Sequence, residues 1–308
     1  MSVYTLVGRD ELAAWLRPFA VGDLTDLAGI AAGVENSNYF VATTGGRWVL
    51  TLFERLQAAE LEFYLRLMAH LAARGYPCPR PQADDTGALW RPLAGKPAAL
   101  VSRLEGRGIE TPTADHCRAI GQALASLHRL AADFPLALPN PRGEAWRRST
   151  GTRLLPLLAP AEHDLLADEL AFQAAQDYSA LPRGIVHADL FRDNVLWQAD
   201  GRLSGVLDFY FAGEDYLLFD LAVAANDWCF DAVSLEALLA GYAGERPLTA
   251  AETAAWPAMR RAAALRFWLS RLDDSHHPRP GEVVTVKDPA HFARLLEDLR
   301  LVPGDAGG

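Results

Sequence analysis

With 308 residues, half of them hydrophobic and 22% charged, the chain is long enough for two packed lobes and has the composition of an ordinary globular enzyme. Its net charge of -10 argues against nucleic-acid binding by the whole surface, and no apolar run approaches the ~20 residues of a membrane helix. The three widely spaced cysteines predict no disulfide framework, and the N-terminus lacks a secretory pattern, so we expect a cytoplasmic protein.

The first third of the chain predicts a small antiparallel sheet with two helices. β-rich segments on both sides of the Gly45-Gly46 pair are typical of a hairpin, and apolar residues at helical spacing predict the helices. The predicted elements are a helix at 10–19, strands at 27–32, 39–43 and 47–53, a helix at 58–73, and strands at 89–93 and 97–104. A polar, glycine-containing segment follows at 105–108, and we place a lobe boundary there.

The remaining two thirds predict a mainly helical region with one embedded β patch. The predicted elements are helices at 114–130, 163–178, 220–228, 235–243 and 251–272, with the β patch at 185–209. A small sheet followed by a larger helical part predicts an α+β fold. Its two lobes are an N-terminal lobe at 1–104 and a C-terminal lobe at 105–308.

The most informative pattern is His187-x-Asp189-x4-Asn194, with Asp208 fourteen residues further on. Two apolar runs around a turn lie between Asn194 and Asp208 and predict a hairpin, which brings both residues to one end of a small sheet. An amide oxygen and a carboxylate suit Mg²⁺, while a second carboxylate, Asp189, is placed to accept the proton of a substrate hydroxyl. Phosphoryl transfer needs this set of groups.

The pattern resembles the catalytic loop and metal-binding aspartate of the protein-kinase-like phosphotransferases, in the style of the aminoglycoside phosphotransferase and choline kinase branch. The resemblance implies a bilobal kinase that uses ATP and Mg²⁺, with Asp189 as base and Asn194 and Asp208 as metal ligands. It also implies supporting roles for His187, which orients the loop, and for Asp220, which hydrogen-bonds the loop backbone. The position of Asp220 at a helix start is equally consistent with a first-turn acid.

The segment Gly33-Val34-Glu35-Asn36-Ser37-Asn38 lies between the first two predicted strands, where kinase-like folds cover the ATP phosphates. Glycine permits a close approach of the backbone, and the polar side chains add donors. We therefore expect Gly33, Asn36, Ser37 and Asn38 to bind the nucleotide. Taken alone, the segment is also consistent with a simple turn.

The third predicted strand departs from the kinase pattern. Kinases normally place a lysine there, paired with a glutamate of the next helix, to hold the α- and β-phosphates. Here the strand carries Thr51, and the next helix offers Glu60 and Glu62 without that partner. Either Arg55 or metal ions balance the phosphate charge, or the protein is not an active kinase.

Further motifs run nearly end to end along the chain. They are Met1-Ser2-Val3-Tyr4-Thr5, Gly33 to Phe40, Val49-Leu50-Thr51-Leu52, His187 to Asn194, Asp208-Phe209-Tyr210, Asn226-Asp227-Trp228-Cys229 and Leu265 to Leu272. Together they closely resemble the homoserine kinases built on the aminoglycoside phosphotransferase fold, including threonine in place of lysine. The resemblance implies transfer of the ATP γ-phosphoryl group to the side-chain hydroxyl of L-homoserine, on the route to threonine.

A homoserine site needs a cation or backbone donors for the α-carboxylate and acceptors for the ammonium group. The planar fork of arginine suits a carboxylate, which makes Arg192, Arg266 and Arg271 candidates. Arg266 and Arg271 point ~140° apart on one helix, so we do not expect them to act together. Asp227 is the expected ammonium partner. For each of these residues a structural role is an equally good interpretation.

Two other functions stay open on the sequence. A kinase of the same fold that acts on an aminoglycoside or choline would suit the acidic composition, although Arg192 beside the base would repel a polycation. A nucleotide-binding protein without activity is suggested by Thr51. Against it, Asp189, Asn194 and Asp208 are all present.

Overall fold

The computed structural model describes residues 3–30, 36–277 and 288–301. The elements of the first third are α1 (Arg9–Leu16), β1 (Leu24–Gly29), β2 (Ser37–Thr43), β3 (Gly46–Leu52), α2 (Ala58–Ala73), β4 (Arg91–Leu93) and β5 (Lys96–Ser102). The strands form one antiparallel sheet with the order β1-β2-β3-β5-β4. The helix α2 therefore lies in the connection between β3 and β4.

The two faces of this sheet have different neighbours because side chains alternate along each strand. On one face Tyr39 lies opposite Leu50, and both are buried in a core that includes Leu12 of α1. The neighbouring pair, Asn38 and Thr51, faces the other way. That second face is the one turned toward the rest of the molecule.

The rest of the described chain is mainly helical and carries two small antiparallel sheets, β6 with β9 and β7 with β8. The elements are α3 (Ala114–Leu130), α4 (Glu144–Leu154), α5 (Pro160–Ala174), β6 (Arg183–Val186), β7 (Val195–Trp197), β8 (Leu203–Val206), β9 (Gly213–Tyr216), α6 (Leu217–Trp228), α7 (Ala232–Ala243), α8 (Ala250–His276) and α9 (Ala290–Leu301). A single large core joins α2 to the buried faces of α3, α6 and α8.

The helices α3 and α7 cross with their backbones in contact. A Cβ atom on Gly121 would overlap the carbonyl oxygen of Leu238, and one on Gly241 would overlap that of Arg118. Only glycine leaves room for so close a crossing. The crossing fixes the position of α3, whose last turn carries a histidine, His128, into the interior next to α6.

The α+β fold class predicted from the sequence is confirmed, and α2 and α3 have the predicted bounds. Three elements were not predicted, namely α4, α9 and β9, and the predicted β patch at 185–209 belongs to two sheets instead of one. The lobe boundary at residue 104 stays a prediction, because α2, which precedes it, packs into the core of the C-terminal helices. Within the three described ranges, no helix is both long and apolar enough to span a membrane.

Candidate active site

The loop from His187 to Asn194 connects β6 to β7, and one carboxylate pins its first residues. Asp220, fully buried in the first turn of α6, accepts hydrogen bonds from the backbone N–H groups of His187 and Ala188, each at 2.8 Å. Nε2 of His128 lies 3.0 Å from the Asp220 carboxylate. Asp220 thus links α3, α6 and the start of the loop.

These donors keep the buried carboxylate charged. Burial by itself raises the pKa of Asp220, but the hydrogen bond and charge of His128, together with the backbone hydrogen bond from His187, outweigh burial and hold the pKa below its ordinary value. Ala188, whose N–H donates to this carboxylate, has a φ of 63°, in the left-handed region. Such a conformation costs a residue with a Cβ roughly 1–3 kcal/mol and persists only where the surroundings hold it.

The contacts of the His187 ring require the neutral form. Its Nε2 lies 2.9 Å from the carbonyl oxygen of Leu207, so this nitrogen must carry the proton and donate. Its Nδ1 accepts a hydrogen bond from the backbone N–H of Asp189 at 3.2 Å. Burial lowers the pKa of His187, against the opposing charge of Asp220. A neutral ring therefore ties the loop to the strand end before Asp208.

Asp189 lies at the centre of the loop with a cation and an amide beside it. Nδ2 of Asn194 donates to the backbone oxygen of Asp189 at 2.8 Å and to its carboxylate Oδ2 at 3.2 Å. Nη2 of Arg266, from α8, lies 3.5 Å from the other carboxylate oxygen. Arg266 is only 4% exposed, and its guanidinium stacks on Phe267 and Phe211 at 3.8 and 5.1 Å. The aromatic rings thus hold the cation against the carboxylate.

Asn194 and Asp208 come together at one end of the β7–β8 hairpin. The backbone N–H of Leu207 donates to the carbonyl oxygen of Asn194 at 2.8 Å, which places Asp208 next to Asn194. Because Nδ2 of Asn194 is turned toward Asp189, its Oδ1 faces away from that residue. Asp208 is exposed and has a φ of 60°.

This pair of oxygen donors fits Mg²⁺ that arrives with a nucleotide. In the ranges that the structure describes, no group of three His, Cys, Asp or Glu side chains could hold a metal by itself. Mg²⁺ usually keeps several waters and binds through one or two protein oxygens together with substrate phosphates. Asn194 and Asp208 supply such oxygens.

The position of the expected lysine is filled by a neutral hydrogen-bonded group. Thr51 is 3% exposed, and its hydroxyl donates to Oδ1 of Asn38 at 2.8 Å. Tyr210, two residues after Asp208, also hydrogen-bonds Thr51, and its ring packs edge-on against Phe53 at 5.0 Å. Burial raises the pKa of Tyr210, and the Asp208 charge raises it further, so the phenol stays protonated. The motif Asp208-Phe209-Tyr210 contains this residue, but the sequence predicts no role for its hydroxyl.

The glutamates expected to pair with a lysine have other roles. Glu60 caps the first turn of α2 by accepting from the N–H of Gln57 at 3.1 Å, and Glu62 pairs with Arg66 one turn further along. Both contacts lie on the surface. The lysine–glutamate pair of kinases is therefore missing on both sides within the described residues.

The predicted phosphate-binding segment is only partly described. Gly33 lies outside the described residues, and Asn36, directly before β2, is half-buried. The Ser37 hydroxyl is buried, accepts from the N–H groups of Tyr4 and Thr5 and donates to Glu54 at 2.7 Å. These bonds anchor the N-terminal segment to the sheet and engage the hydroxyl that is predicted to contact phosphate.

Arg192 and Asp227, which are each predicted to contact the substrate, bind each other. The Asp227 carboxylate accepts from the backbone N–H of Arg192 at 2.8 Å and from its Nε at 3.1 Å. Nη1 of Arg192 donates to the carbonyl oxygen of Glu110 at 2.6 Å. The pair thereby ties the catalytic loop to the end of α6.

The helix α9 packs against the catalytic loop next to this pair. Its Phe292 stacks on Phe267 at 5.2 Å and lies 6.1 Å from Phe191 of the loop. Arg271 stacks on Phe292 at 4.4 Å and donates to the carbonyl oxygen of Asp288 at 2.9 Å. Arg271 thus faces the start of α9.

Fold and site together define a phosphotransferase, because a loop that carries a carboxylate and two oxygen donors lies beside a small antiparallel sheet. The model of the phosphotransferase enzyme family matches residues 26–265, and the chain belongs to this family. The family resemblance drawn from the motifs is confirmed, as is its prediction of an ATP-dependent kinase.

Relatives that match nearly the whole chain indicate which phosphotransferases it is similar to. A homoserine kinase from Methylobacillus flagellatus is 49% identical, with 96% of this chain and 95% of the relative covered. A homoserine kinase from Janthinobacterium is 48% identical, with the same coverage. Among solved structures, an amicoumacin kinase in complex with AMP-PNP and Ca²⁺ has a TM-score of 0.69 at 14% identity, with 94% of this chain and 91% of that chain covered. At that identity the last similarity concerns the fold.

Proposed function

We propose that this chain is a homoserine kinase, which transfers the γ-phosphoryl group of ATP to the side-chain hydroxyl of L-homoserine and so supplies threonine biosynthesis. The observation that carries the proposal is the contact between Asp189 and the buried Arg266, at 3.5 Å, in a chain similar to homoserine kinases over almost its full length. A base with a fixed cation beside it suits a small substrate that bears both a hydroxyl and a carboxylate.

In this proposal Asp189 accepts the proton of the substrate hydroxyl and directs that oxygen toward the γ-phosphorus. The Asn194 amide orients the carboxylate, because it bonds one oxygen and leaves the other toward Arg266. Asn194 and Asp208 would hold Mg²⁺, which neutralises phosphate charge when bound. Asp220 and His187 act through the loop backbone and not on the substrate.

On the nucleotide side, Gly33, Asn36 and Asn38 remain the proposed phosphate-binding residues. Asn38 faces the cleft, and its Oδ1 accepts from Thr51, which leaves its amide N–H groups as donors. We propose no role for the Ser37 side chain there. The reaction is assigned to the cytoplasm and requires neither nucleic acid nor a membrane.

On the substrate side, Arg266 is the proposed cation for the carboxylate of homoserine. Arg192 is less suited, because a substrate carboxylate would have to displace Asp227 from the same guanidinium edge. Asp227, whose carboxylate binds Arg192, is the proposed partner of the ammonium group. A buried guanidinium next to the base also disfavours polycationic aminoglycosides.

A coupled assay with ATP, Mg²⁺ and a panel of alcohols tests the proposal. L-homoserine, L-serine, choline and kanamycin are each titrated, and ADP release is followed with product identity checked by mass spectrometry. We expect kcat/KM for L-homoserine to exceed that of every other acceptor by at least ~100-fold, since one missing or misplaced polar group costs this much. A preference for choline or kanamycin would overturn the assignment of substrate.

A further inference from the structure

A short loop before α4 is built against the strand β9. Asn140 is 7% exposed; its backbone N–H donates to the carbonyl oxygen of Glu214 at 3.1 Å, and its Nδ2 donates to the Asp215 carboxylate at 2.8 Å. A Cβ atom on Gly213 would lie 2.8 Å from the Asn140 nitrogen, so glycine is needed for this close approach. The loop is thus fixed to the same β-sheet that leads into the catalytic loop.

This anchoring also fixes the backbone at Arg142. Oδ1 of Asn140 accepts a hydrogen bond from the backbone N–H of Arg142 at 2.8 Å. The guanidinium of Arg142 then stacks on Trp146 at 4.4 Å and lies 5.8 Å from the ring of Phe211. Stacking occupies the faces of a guanidinium, while its N–H groups point outward in the plane. The stacking therefore fixes the plane of the guanidinium.

Phe211 links this cation to the proposed base. The same ring lies 5.1 Å from the guanidinium of Arg266, which contacts Asp189. Two stacked arginines thus share one aromatic ring, three residues after Asp208. Four bonds separate the hydroxyl oxygen of homoserine from its carboxylate carbon, so an extended molecule spans roughly 5 Å between them. A substrate whose hydroxyl lies at Asp189 is thus long enough to extend its carboxylate past the Arg266 contact toward the Phe211 ring.

We propose that Arg142 is a substrate-binding residue which, together with Arg266, holds the α-carboxylate of the amino-acid substrate. The assignment rests on the proposed function and adds to it a residue that selects for the carboxylate. The second guanidinium also lets Arg266 keep its contact with Asp189, since one cation does not have to satisfy both carboxylates. Arg142 comes from a loop that sequence patterns do not mark, and only its contacts connect it to the site.

The test compares two acceptors in two variants. The acceptors are L-homoserine and 3-aminopropan-1-ol, which is homoserine without the carboxylate. The variants are Arg142→Met, which keeps the length and apolar stem of the side chain, and a matched control, Arg148→Met, at an exposed position of α4. For each protein kcat/KM is measured with both acceptors, along with KM for ATP.

In Arg142→Met we expect kcat/KM for homoserine to fall about 10–100-fold, the usual effect of losing a hydrogen bond to a charged group. The value for 3-aminopropan-1-ol and the KM for ATP should stay within about twofold. Arg142→Lys should recover part of the loss, because it restores charge without the planar fork. Arg148→Met should behave like the parent.

Equal losses with both acceptors in Arg142→Met, or an unchanged ratio between them, would overturn the assignment. A second readout is independent of turnover: L-2-aminobutyrate, which has the carboxylate but no hydroxyl, should inhibit the parent competitively and inhibit Arg142→Met about 10-fold less well. If it inhibits both equally, Arg142 does not bind the carboxylate. A parent enzyme that does not phosphorylate homoserine at all would instead refute the proposed function.

Discussion

The two sides of the proposed active site differ in the charge of their side chains. We call the side formed by the sheet the neutral wall, and the side formed by the catalytic loop and α8 the charged wall. On the sheet side, the place where kinases carry a lysine holds Asn38, Thr51 and Tyr210, three neutral side chains joined by hydrogen bonds. On the opposite side, Asp189 contacts the buried Arg266. In this chain the neutral wall, which is proposed to face the nucleotide, therefore has no cation at the position of the kinase lysine, and a buried arginine lies beside the proposed base on the charged wall.

The difference has a physical reason. A buried lysine needs an acidic partner, because an unpaired charge in the interior is costly. In this chain Glu60 caps a helix and Glu62 pairs with Arg66, so a lysine at position 51 would lack its usual partner. A neutral threonine avoids this cost and lets the Tyr210 hydroxyl connect the sheet to the segment after Asp208.

The largest effect should come from the base on the charged wall. We expect Asp189→Asn to lower kcat by about 10²–10⁴-fold, the usual range for the loss of a general base, with little change in ATP affinity. Steady-state kinetics and equilibrium binding of a nonhydrolysable ATP analogue measure the two quantities. Asp193→Asn, at an exposed position of the same loop, is the control. Activity within a few-fold of the parent would remove Asp189 from the role of base.

Removal of the carboxylate under the loop should mainly affect stability. Asp220→Ala leaves two backbone N–H groups and His128 without their buried partner, and breaking such a pair typically costs about 3–5 kcal/mol. Denaturant unfolding measures the change in free energy. Asp164→Ala, a surface position, should change it by less than about 0.5 kcal/mol. Similar values for both variants would contradict the role given to Asp220.

We expect a smaller effect from a change in the neutral wall, and this effect should be confined to nucleotide binding. Tyr210→Phe keeps the ring contacts with Phe53 but removes the hydroxyl that bonds Thr51, a change worth about 1 kcal/mol. We expect KM for ATP to rise about 5-fold while KM for homoserine stays constant. Tyr178→Phe, which loses a bond to Gln173 elsewhere, controls for loss of a phenol. If the KM for homoserine rises instead, Tyr210 does not act on the nucleotide as part of the neutral wall.

The smallest expected effect is a change in how the free energy of unfolding depends on pH, and it comes from the neutral His187 ring of the charged wall. The pKa of His187 is lowered by burial, so the unfolded chain binds its proton more readily than the folded protein does. The stabilising contribution of His187 is therefore complete above about pH 6.5, its ordinary pKa, and is lost as the pH falls toward the folded-state value. Unfolding free energies measured between pH 5 and 8 should fall less steeply with acid in His187→Gln than in the parent. Equal slopes would mean that another group is responsible.

Local sequence patterns determined a large part of this protein. Helical spacing of apolar residues gave α2 and α3 with their observed bounds, and alternation around a turn placed Asn194 and Asp208 at one end of a hairpin. Both depend on neighbours a few positions apart, whose geometry a helix or hairpin fixes. The helix α4 was missed because it is largely polar. The helix α9 was missed although Phe292, Leu296 and Leu299 follow a helical spacing and are buried.

Only the tertiary structure decided which charged groups meet. The sequence marks Arg192 and Asp227 as polar residues of the site, but not that they bind each other and so compete with the substrate. It likewise marks Thr51 as a missing lysine without indicating Tyr210, and it gives no reason to connect Arg142 with Arg266. Pairings of this kind join residues far apart in the chain, and they depend on how helices and loops pack, which no local periodicity records.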